Sequence, residues 1–176
     1  MEGKLQKGII IANISNKYEI KHEEKIYNSV AKGKFKKDEI SPVVGDIVFF
    51  EILNEEEKEA IITKIEPRKN YIKRPKMSNI TQLVLVVSSK MPKPDLLMLD
   101  KQLAFAKYLG IKAVIVLNKI DLEEVEKIKV VYEKIGYTVI KTNAKQKQGI
   151  EDLKEVLKDV ISSFAGNSGV RKIYFN

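Results

Sequence analysis

The sequence predicts an all-β barrel of the OB type over residues 1–76, followed by an α/β domain with a parallel, doubly wound sheet over residues 77–176. Three observations predict this fold class. Short runs with the pattern of β-strands fill the first part. Continuous apolar runs alternate with amphipathic segments in the second part. The 176 residues are 44% hydrophobic, which is enough for packed cores.

The first part contains five predicted strands, separated by polar or Pro/Gly turns. Five short strands of this kind are typical of a small barrel of the OB type. The runs are KGIIIANI (7–14), KYEIKH (17–22), KIYNSVAKGKF (25–35), GDIVFFEIL (45–53) and EAIITKIEP (59–67).

The second part alternates strands and helices with short connections, which implies a parallel sheet. Its first strand, ITQLVLVVSS (80–89), is apolar throughout, as expected of a strand covered on both faces. Pro94 and Asp95 then begin a helix in which Leu96, Leu99, Leu103 and Ala106 recur at helical spacing. The remaining elements are the strands KAVIVLN (112–118), YTVIKTN (137–143) and VISSFAG (160–166) and the helices at 122–136 and 149–159.

Residue usage excludes several classes of protein. The chain has no cysteine and one histidine, His22, so disulfides and a Cys/His metal cluster are excluded. No signal sequence and no apolar run of membrane-spanning length is present, so we expect a cytoplasmic protein with no membrane partner.

The formal net charge of +8 favours polyanionic partners, although lysine-rich surfaces are often only solvated faces. Positive charge is densest in KGKFKK (32–37) and in KIEPRKNYIKRPK (64–76). Lysines interleaved with Tyr71 suit an RNA backbone and its bases. The candidate RNA-binding residues are Lys32, Lys34, Lys36, Lys37, Arg68, Lys69, Lys73 and Arg74.

The segment LNKID places Asn118, Lys119 and Asp121 directly after a predicted strand. Ligands of open α/β sheets bind beyond the carboxyl ends of the strands, so these side chains are candidates for reading a base. A carboxylate at Asp121 could accept hydrogen bonds from N1–H and the 2-amino group of guanine, which adenine cannot supply. Asn118 could support neighbouring loops and face N7, and the stem of Lys119 could cover the base.

The segment TNAK (142–145) also follows a strand and precedes a helix. The Ala144 N–H could reach O6 of guanine, and the stem of Lys145 could cover the base. Asn143 belongs to the same motif. Two such motifs after successive strands favour a nucleotide site over a pair of ordinary polar turns.

The segment GNSGVRKIYFN (166–176) follows the last predicted strand and resembles the start of a phosphate-binding loop. Such a loop needs a second glycine, a lysine and a hydroxyl that binds magnesium. Arg171 stands at the place of that glycine, and Ile173 at the place of the hydroxyl. The residues of this degenerate loop are Gly166, Asn167, Ser168, Gly169, Val170, Arg171, Lys172 and Ile173.

The base-reading motifs precede the phosphate motif, whereas common GTPases have the opposite order. With PVVGDIVFFE (42–51) and PRKNYIKRP (67–75) in front, this order resembles the ribosome-small-subunit-dependent GTPase A family, whose GTPase domain is circularly permuted. The resemblance covers essentially all residues. The second domain would then be a partial P-loop GTPase domain.

The resemblance implies a function in late maturation of the small ribosomal subunit, with that subunit and its rRNA as partners. It also implies GTP or GDP with Mg²⁺ as ligands, and zinc in a C-terminal helical domain. By position, Asn118, Lys119 and Asp121 would read guanine, residues 143–145 would complete the base pocket, and residues 166–173 would meet phosphate.

The family's phosphate loop reads SGVGKS, a serine or threonine, and LIN, whereas this chain reads SGVRKIYFN. One extra A after the first codon of GTA GGA AAA TCT ACT TTA ATT AAC would give VRKIYFN and a stop codon. We therefore interpret the tail as a frameshifted phosphate loop, and expect a truncated chain that is catalytically incompetent.

Two other functions stay open at this point. One is an RNA-binding module in which the α/β half is a non-functional appendage. The other, a metabolic enzyme of flavodoxin-like or dehydrogenase architecture, ranks low because no G-x-G-x-x-G follows the first strand of the α/β half. We expect a monomer, although the incomplete sheet could self-associate.

Overall fold

The computed structural model describes residues 5–33, 35 and 41–166. They divide into one unit that ends at Asn79 and a second unit that begins at Ile80. No helix among these residues is both long and apolar enough to cross a bilayer.

The first unit is built on a closed five-stranded barrel with the order β1-β2-β3-β5-β4. Antiparallel pairing of β1 with β4 and parallel pairing of β3 with β5 close it. This confirms the predicted OB-type barrel. The strands are β1 (Gln6–Ile14), β2 (Lys17–His22), β3 (Lys25–Ala31), β4 (Ile47–Asn54) and β5 (Glu59–Ile65).

Alternation of side chains along the strands fills the barrel. In β4, for example, Val48 and Phe50 are fully buried, while Phe49 between them is partly exposed. The predicted third strand extended to residue 35, but β3 ends at Ala31. The buried core comprises Ile10, Tyr18, Ile20, Tyr27, Val48, Phe50, Ala60 and Ile62.

A two-stranded hairpin follows the barrel in the same unit and was not predicted. Its strands are β6 (Tyr71–Lys73) and β7 (Lys76–Ser78), which pair antiparallel. Residues 73–76 form its tip and are exposed. The hairpin therefore presents three basic side chains, those of Lys73, Arg74 and Lys76.

The second unit is a four-stranded sheet with the order β10-β9-β8-β11, and all three strand pairs are parallel. This confirms the predicted α/β architecture. The strands are β8 (Gln82–Ser88), β9 (Lys112–Asn118), β10 (Thr138–Thr142) and β11 (Ser162–Ala165). The helices are α1 (Leu96–Tyr108), α2 (Glu126–Lys134) and α3 (Ile150–Leu157).

Helices cover both faces of this sheet. Buried Tyr132 of α2 donates a hydrogen bond from Oη to Oδ1 of Asp100 in α1 at 2.7 Å, which joins the first two helices, and burial raises the pKa of this phenol. Helix α3 instead packs Leu153 into the cluster that contains Val84 and Val114. From β8, the next two strands, β9 and β10, are added on one side of the sheet, and β11 is added on the other side of β8. Because the crossovers are right-handed, this change of side places α3 on the opposite face from α1 and α2.

Strand order reverses between β8 and β11. Such a reversal point is where open α/β sheets bind ligands, beyond the carboxyl ends of the strands. The helix expected from residue 122 begins instead at Glu126. The preceding residues form the turn after β9, which belongs to the candidate site.

Candidate functional site

The two predicted base-reading motifs lie side by side at the carboxyl edge of the sheet. Ser88, Asn118 and Thr142 occupy one row across β8, β9 and β10, because Ser88 pairs in register with Asn118 and Asn118 with Thr142. The LNKID and TNAK segments leave the sheet at this row. The structure therefore brings residues 118–121 and 142–145 together.

Asn118 joins the two motifs. Its side chain is fully buried, and Oδ1 accepts hydrogen bonds from Oγ1 of Thr142 at 3.1 Å and from the backbone N–H of Ala144 at 3.0 Å. The Ala144 N–H that the sequence assigns to O6 of guanine therefore already has an acceptor. A bound base would have to share the Ala144 N–H with Asn118 Oδ1, or displace Asn118 Oδ1 from it.

Lys119 adopts a left-handed backbone conformation, with φ of 63°, which is uncommon for a residue with a side chain. Ser89 supports this turn with two bonds: its N–H donates to the Asn118 carbonyl at 2.9 Å, and its Oγ donates to the Lys119 carbonyl at 2.5 Å. The Lys119 ammonium donates to the carbonyl of Met91. The loop after β8 thus holds the turn that carries the LNKID motif.

Asp121 and Lys145 are exposed at the same edge. Among the residues that the structure describes, neither side chain has a hydrogen-bond or ion-pair partner. The Asp121 carboxylate is consequently available to an outside donor, as reading a base would require. The stem of Lys145 is likewise available to cover a flat ligand.

Asn143 shapes the loop that carries Ala144. Its side chain donates to Oε1 of Gln146 at 2.8 Å, and its backbone exchanges hydrogen bonds with Gln148 at 3.0 and 3.1 Å. It is almost completely buried, so in this structure it supports the loop from within. Gly149 ends the loop with φ of 71° and caps α3.

The predicted phosphate end lies at the reversal point of the sheet. Gly166 follows β11 and lines a cavity together with Val86, Ser88, Pro92, Lys93 and Asp95. The rest of the predicted loop, Asn167, Ser168, Gly169, Val170, Arg171, Lys172 and Ile173, lies outside the described residues. Gly166 alone places the start of that loop at the β8 side of the candidate base site.

The predicted RNA-binding residues fall into four groups. Lys69, Lys73 and Arg74 are exposed, and Lys32 donates to Oε1 of Glu51 at 3.2 Å. Arg68 belongs to an internal ion pair. Lys34, Lys36 and Lys37 lie outside the described residues.

Arg68 forms a bidentate ion pair with the fully buried carboxylate of Asp46. Its Nε and Nη2 donate to the two oxygens at 2.7 and 2.8 Å, and these hydrogen bonds are the largest cause of a raised pKa of the guanidinium. Asp46 also accepts from Oγ of Ser78 at 2.5 Å and from the Val43 N–H at 2.8 Å. These hydrogen bonds to Asp46 connect Ser78 of β7 to the barrel, so the observed contacts give Arg68 a structural role.

The part of the chain that the structure describes contains no group of three or more His, Cys, Asp or Glu side chains placed to hold a metal ion.

Two sets of residues that the sequence did not single out support the site. Ser89 and Met91 follow β8 at the same sheet edge, and Thr142 immediately precedes the predicted Asn143. Their one sequence signal is position, since Thr142 ends β10 and Ser89 and Met91 lie within three residues of the end of β8.

Two family models match the chain: the RsgA N-terminal domain over residues 7–62 and the RsgA GTPase over residues 65–173. The chain belongs to the RsgA GTPase family. The suspected family resemblance is thereby confirmed.

Curated relatives in the RsgA family bear the name small ribosomal subunit biogenesis GTPase RsgA. The relative from Caldanaerobacter subterraneus is 42% identical over 168 residues, which cover 94% of this chain and 56% of the relative. The relative from Clostridium acetobutylicum is also 42% identical over 168 residues, covering 94% and 57%. The chain thus spans little more than half the length of these relatives.

Two solved structures share the fold of this RsgA family chain. YjeQ from Thermotoga maritima superimposes with a TM-score of 0.81 at 34% identity, covering 98% of this chain and 64% of that protein. YloQ, described as a circularly permuted GTPase, gives a TM-score of 0.79 at 31% identity, covering 95% and 61%. The circularly permuted order is therefore confirmed.

Proposed function

We propose that this chain binds guanine nucleotides and rRNA as a cytoplasmic factor in small ribosomal subunit biogenesis. The observation that carries the nucleotide part is the arrangement around Asn118. Its buried oxygen ties the two base-reading loops together, while the Asp121 carboxylate beside it stays exposed without a partner among the described residues. The names of the relatives support the ribosomal part.

Guanine fits this arrangement better than adenine does. The Asp121 carboxylate offers two acceptor oxygens, which match N1–H and the 2-amino group of guanine. Adenine presents no such pair of donors, so it would leave the carboxylate unpaired within the contact, at a cost in affinity. GTP or GDP is accordingly the proposed ligand, and Mg²⁺ at its phosphates is what the resemblance implies for full-length members of the family.

The barrel unit is the proposed RNA-binding domain, and the unit after it the nucleotide-binding domain. Lys69, Lys73 and Arg74 are exposed cations that would meet phosphates. Zinc, which the resemblance implies for a C-terminal domain, is not assigned to any described residue.

We propose further that this chain has lost GTP hydrolysis. The proposal rests on its sequence, because Arg171 and Ile173 replace the glycine and the hydroxyl that phosphate and magnesium need. Binding of GTP should consequently be weak, and should still favour guanine over adenine.

A nucleotide titration followed by NMR, which detects weak binding, tests the guanine assignment. GDP, ADP and xanthosine diphosphate would be added to the chain and to an Asp121→Asn variant. Xanthine carries an oxygen where guanine has the 2-amino group, so the carboxamide of the variant can donate to it. We expect the chain to prefer GDP and the variant to prefer the xanthine nucleotide. Equal binding of GDP and ADP by the chain would reject the assignment.

A second candidate is an RNA-binding module whose α/β unit no longer binds nucleotide. The exposed basic tip of the β6–β7 hairpin and the replaced residues of the phosphate loop favour it. The same titration separates the two candidates. RNA binding without any nucleotide binding would support the second.

A further inference from the structure

The outer face of the barrel carries an aromatic ring between two lysines. Phe49 of β4 pairs in register with Lys7 of β1 on one side and with Lys64 of β5 on the other. All three side chains point away from the core, because the neighbours of Phe49 along β4, Val48 and Phe50, are fully buried.

Both ammonium groups lie near the ring. The Nζ atoms of Lys7 and Lys64 are 5.8 and 5.7 Å from the centroid of Phe49. These separations are close to the upper limit of about 6 Å for a cation–π contact, so each contact is weak at such an exposed site. A ligand could therefore displace either ammonium group from the ring at little cost.

Two apolar side chains extend the aromatic surface. Ile9 and Ile47 pair in register across β1 and β4, two residues along from Lys7 and Phe49, and both are partly exposed. We call Ile9, Ile47 and Phe49 the outer strip. Lys7 and Lys64 border it at Phe49, so an apolar surface lies between two positive charges.

We infer that the outer strip is a stacking platform for a base of single-stranded RNA, with the phosphates on either side bound by Lys7 and Lys64. This inference rests on the proposed RNA binding and adds a contact site to it. Proteins that hold single strands combine aromatic rings, on which bases stack, with a basic track for the backbone. Phe49 of the outer strip and the two lysines that border it, Lys7 and Lys64, offer both features in one cross-strand row.

The charges favour RNA over an apolar protein partner. The Lys64 side chain has no acidic partner among the described residues, and Lys7 is paired with Glu66 at 2.7 Å. A protein that covered the ring alone would gain nothing from these cations. A nucleotide satisfies the ring and the cations together, and the whole chain carries +8.

A Phe49→Trp variant tests the stacking directly. The chain has no tryptophan, so the new indole would be the sole tryptophan signal in fluorescence. Adding a short single-stranded oligouridine should quench this emission, and quenching should saturate along the same curve as binding measured by anisotropy of a labelled oligouridine. Phe105→Trp is the matched control, since Phe105 is exposed on α1 in the other unit. Its emission should not change.

Affinity measurements separate the ring from the cations. Phe49→Leu should weaken oligouridine binding at least about fivefold, because it removes a stacking surface, while Phe49→Tyr should restore it. Lys64→Gln should instead lower the slope of log affinity against log salt by about 0.7, the value for one phosphate contact on a single strand. Circular dichroism would check that each variant is folded.

The outcomes distinguish this inference from the proposed RNA binding. If the chain binds oligouridine but Phe49→Trp is not quenched and Phe49→Leu binds equally well, the platform is rejected while RNA binding stands. Quenching of both indoles to the same extent also rejects it. If the chain does not bind oligouridine, both proposals fail.

Discussion

The backbone N–H of Ala144 donates a hydrogen bond of 3.0 Å to Oδ1 of Asn118, across two neighbouring strand ends. Through this bond, the motif after β9 determines where the motif after β10 lies. Both groups are buried, so neither can form a hydrogen bond with water if the other is removed. The two motifs therefore act as one structural unit.

Replacing Asn118 with alanine should destabilise the second unit by about 3 kcal/mol. The change leaves the Ala144 N–H and the Thr142 hydroxyl buried without an acceptor, and each unmet donor costs about 1–3 kcal/mol. Urea unfolding followed by circular dichroism measures the loss.

Asp121→Ala is the matched control for this prediction. Asp121 is exposed and has no partner among the described residues, so its loss should change stability by less than about 0.5 kcal/mol. It should abolish the preference for guanine nucleotides all the same. Equal destabilisation by Asn118→Ala and Asp121→Ala would contradict the role assigned to Asn118.

Gly149→Ala should destabilise the same unit more than Gly110→Ala. Both glycines have positive φ, 71° and 67°, so both alanine variants incur the left-handed penalty of about 1–2 kcal/mol. A Cβ at Gly149 would also collide with the Lys141 carbonyl oxygen, whereas a Cβ at Gly110 would meet no atom within 4 Å. We expect an additional loss of about 2 kcal/mol at Gly149. Equal midpoints of thermal unfolding for the two variants would refute the close approach.

The sequence predicted the barrel, the parallel sheet and the strand ends that carry the motifs, because apolar periodicity reports which faces are buried. It missed the β6–β7 hairpin. Strands of three residues joined through Arg74 and Pro75 are too short to show an alternation. It also began α2 too early, because the acidic residues 123 and 124 favour a helix locally while the turn at Lys119 depends on Ser89.

Partners far apart in sequence could not be predicted. Arg68 stands in a basic run, which favoured RNA contact, yet its acceptor Asp46 lies 22 residues earlier in the chain. In the same way, the acceptor for the Ala144 N–H is 26 residues away. Such pairs depend on strand register and tertiary packing, which no local pattern encodes.

Arg68→Lys should reduce the stability of the first unit by about 3 kcal/mol. Lysine cannot form the two-pronged contact with the carboxylate, so Asp46 would keep a buried charge with a poorer partner. Urea unfolding of that unit is the measurement. Lys73→Gln is the control for removal of a cation, because Lys73 is exposed at the hairpin tip.

Substitutions in the basic β6–β7 hairpin, unlike Arg68→Lys, should affect RNA binding and not stability. Lys73→Gln combined with Arg74→Gln should leave stability unchanged within about 0.5 kcal/mol. The two changes should lower the salt slope of oligouridine binding by about 0.7 for each phosphate that the hairpin no longer neutralises. RNA affinity that is unchanged at all salt concentrations would exclude the hairpin from the RNA interface.

The last prediction concerns the replaced residues of the phosphate loop. Such a loop binds phosphate through converging backbone N–H groups, and a side chain as long as that of Arg171 stands where glycine permits close approach. Ile173 offers no oxygen to magnesium, which neutralises charge on the transferred phosphoryl group. We therefore expect no magnesium-dependent GTP turnover by this chain.

Arg171→Gly combined with Ile173→Ser should restore binding at the phosphates. Each recovered hydrogen bond to a charged oxygen is worth about 1.5–3 kcal/mol, so GDP affinity should rise at least about tenfold and become dependent on Mg²⁺. Calorimetry with and without Mg²⁺ measures the gain, and a phosphate-release assay measures turnover. Val170→Gly is the matched control, because it adds a glycine without restoring the pattern, and it should not raise affinity. GTP turnover by the unaltered chain, or an equal gain from Val170→Gly, would show that Arg171 and Ile173 are not what limits the site.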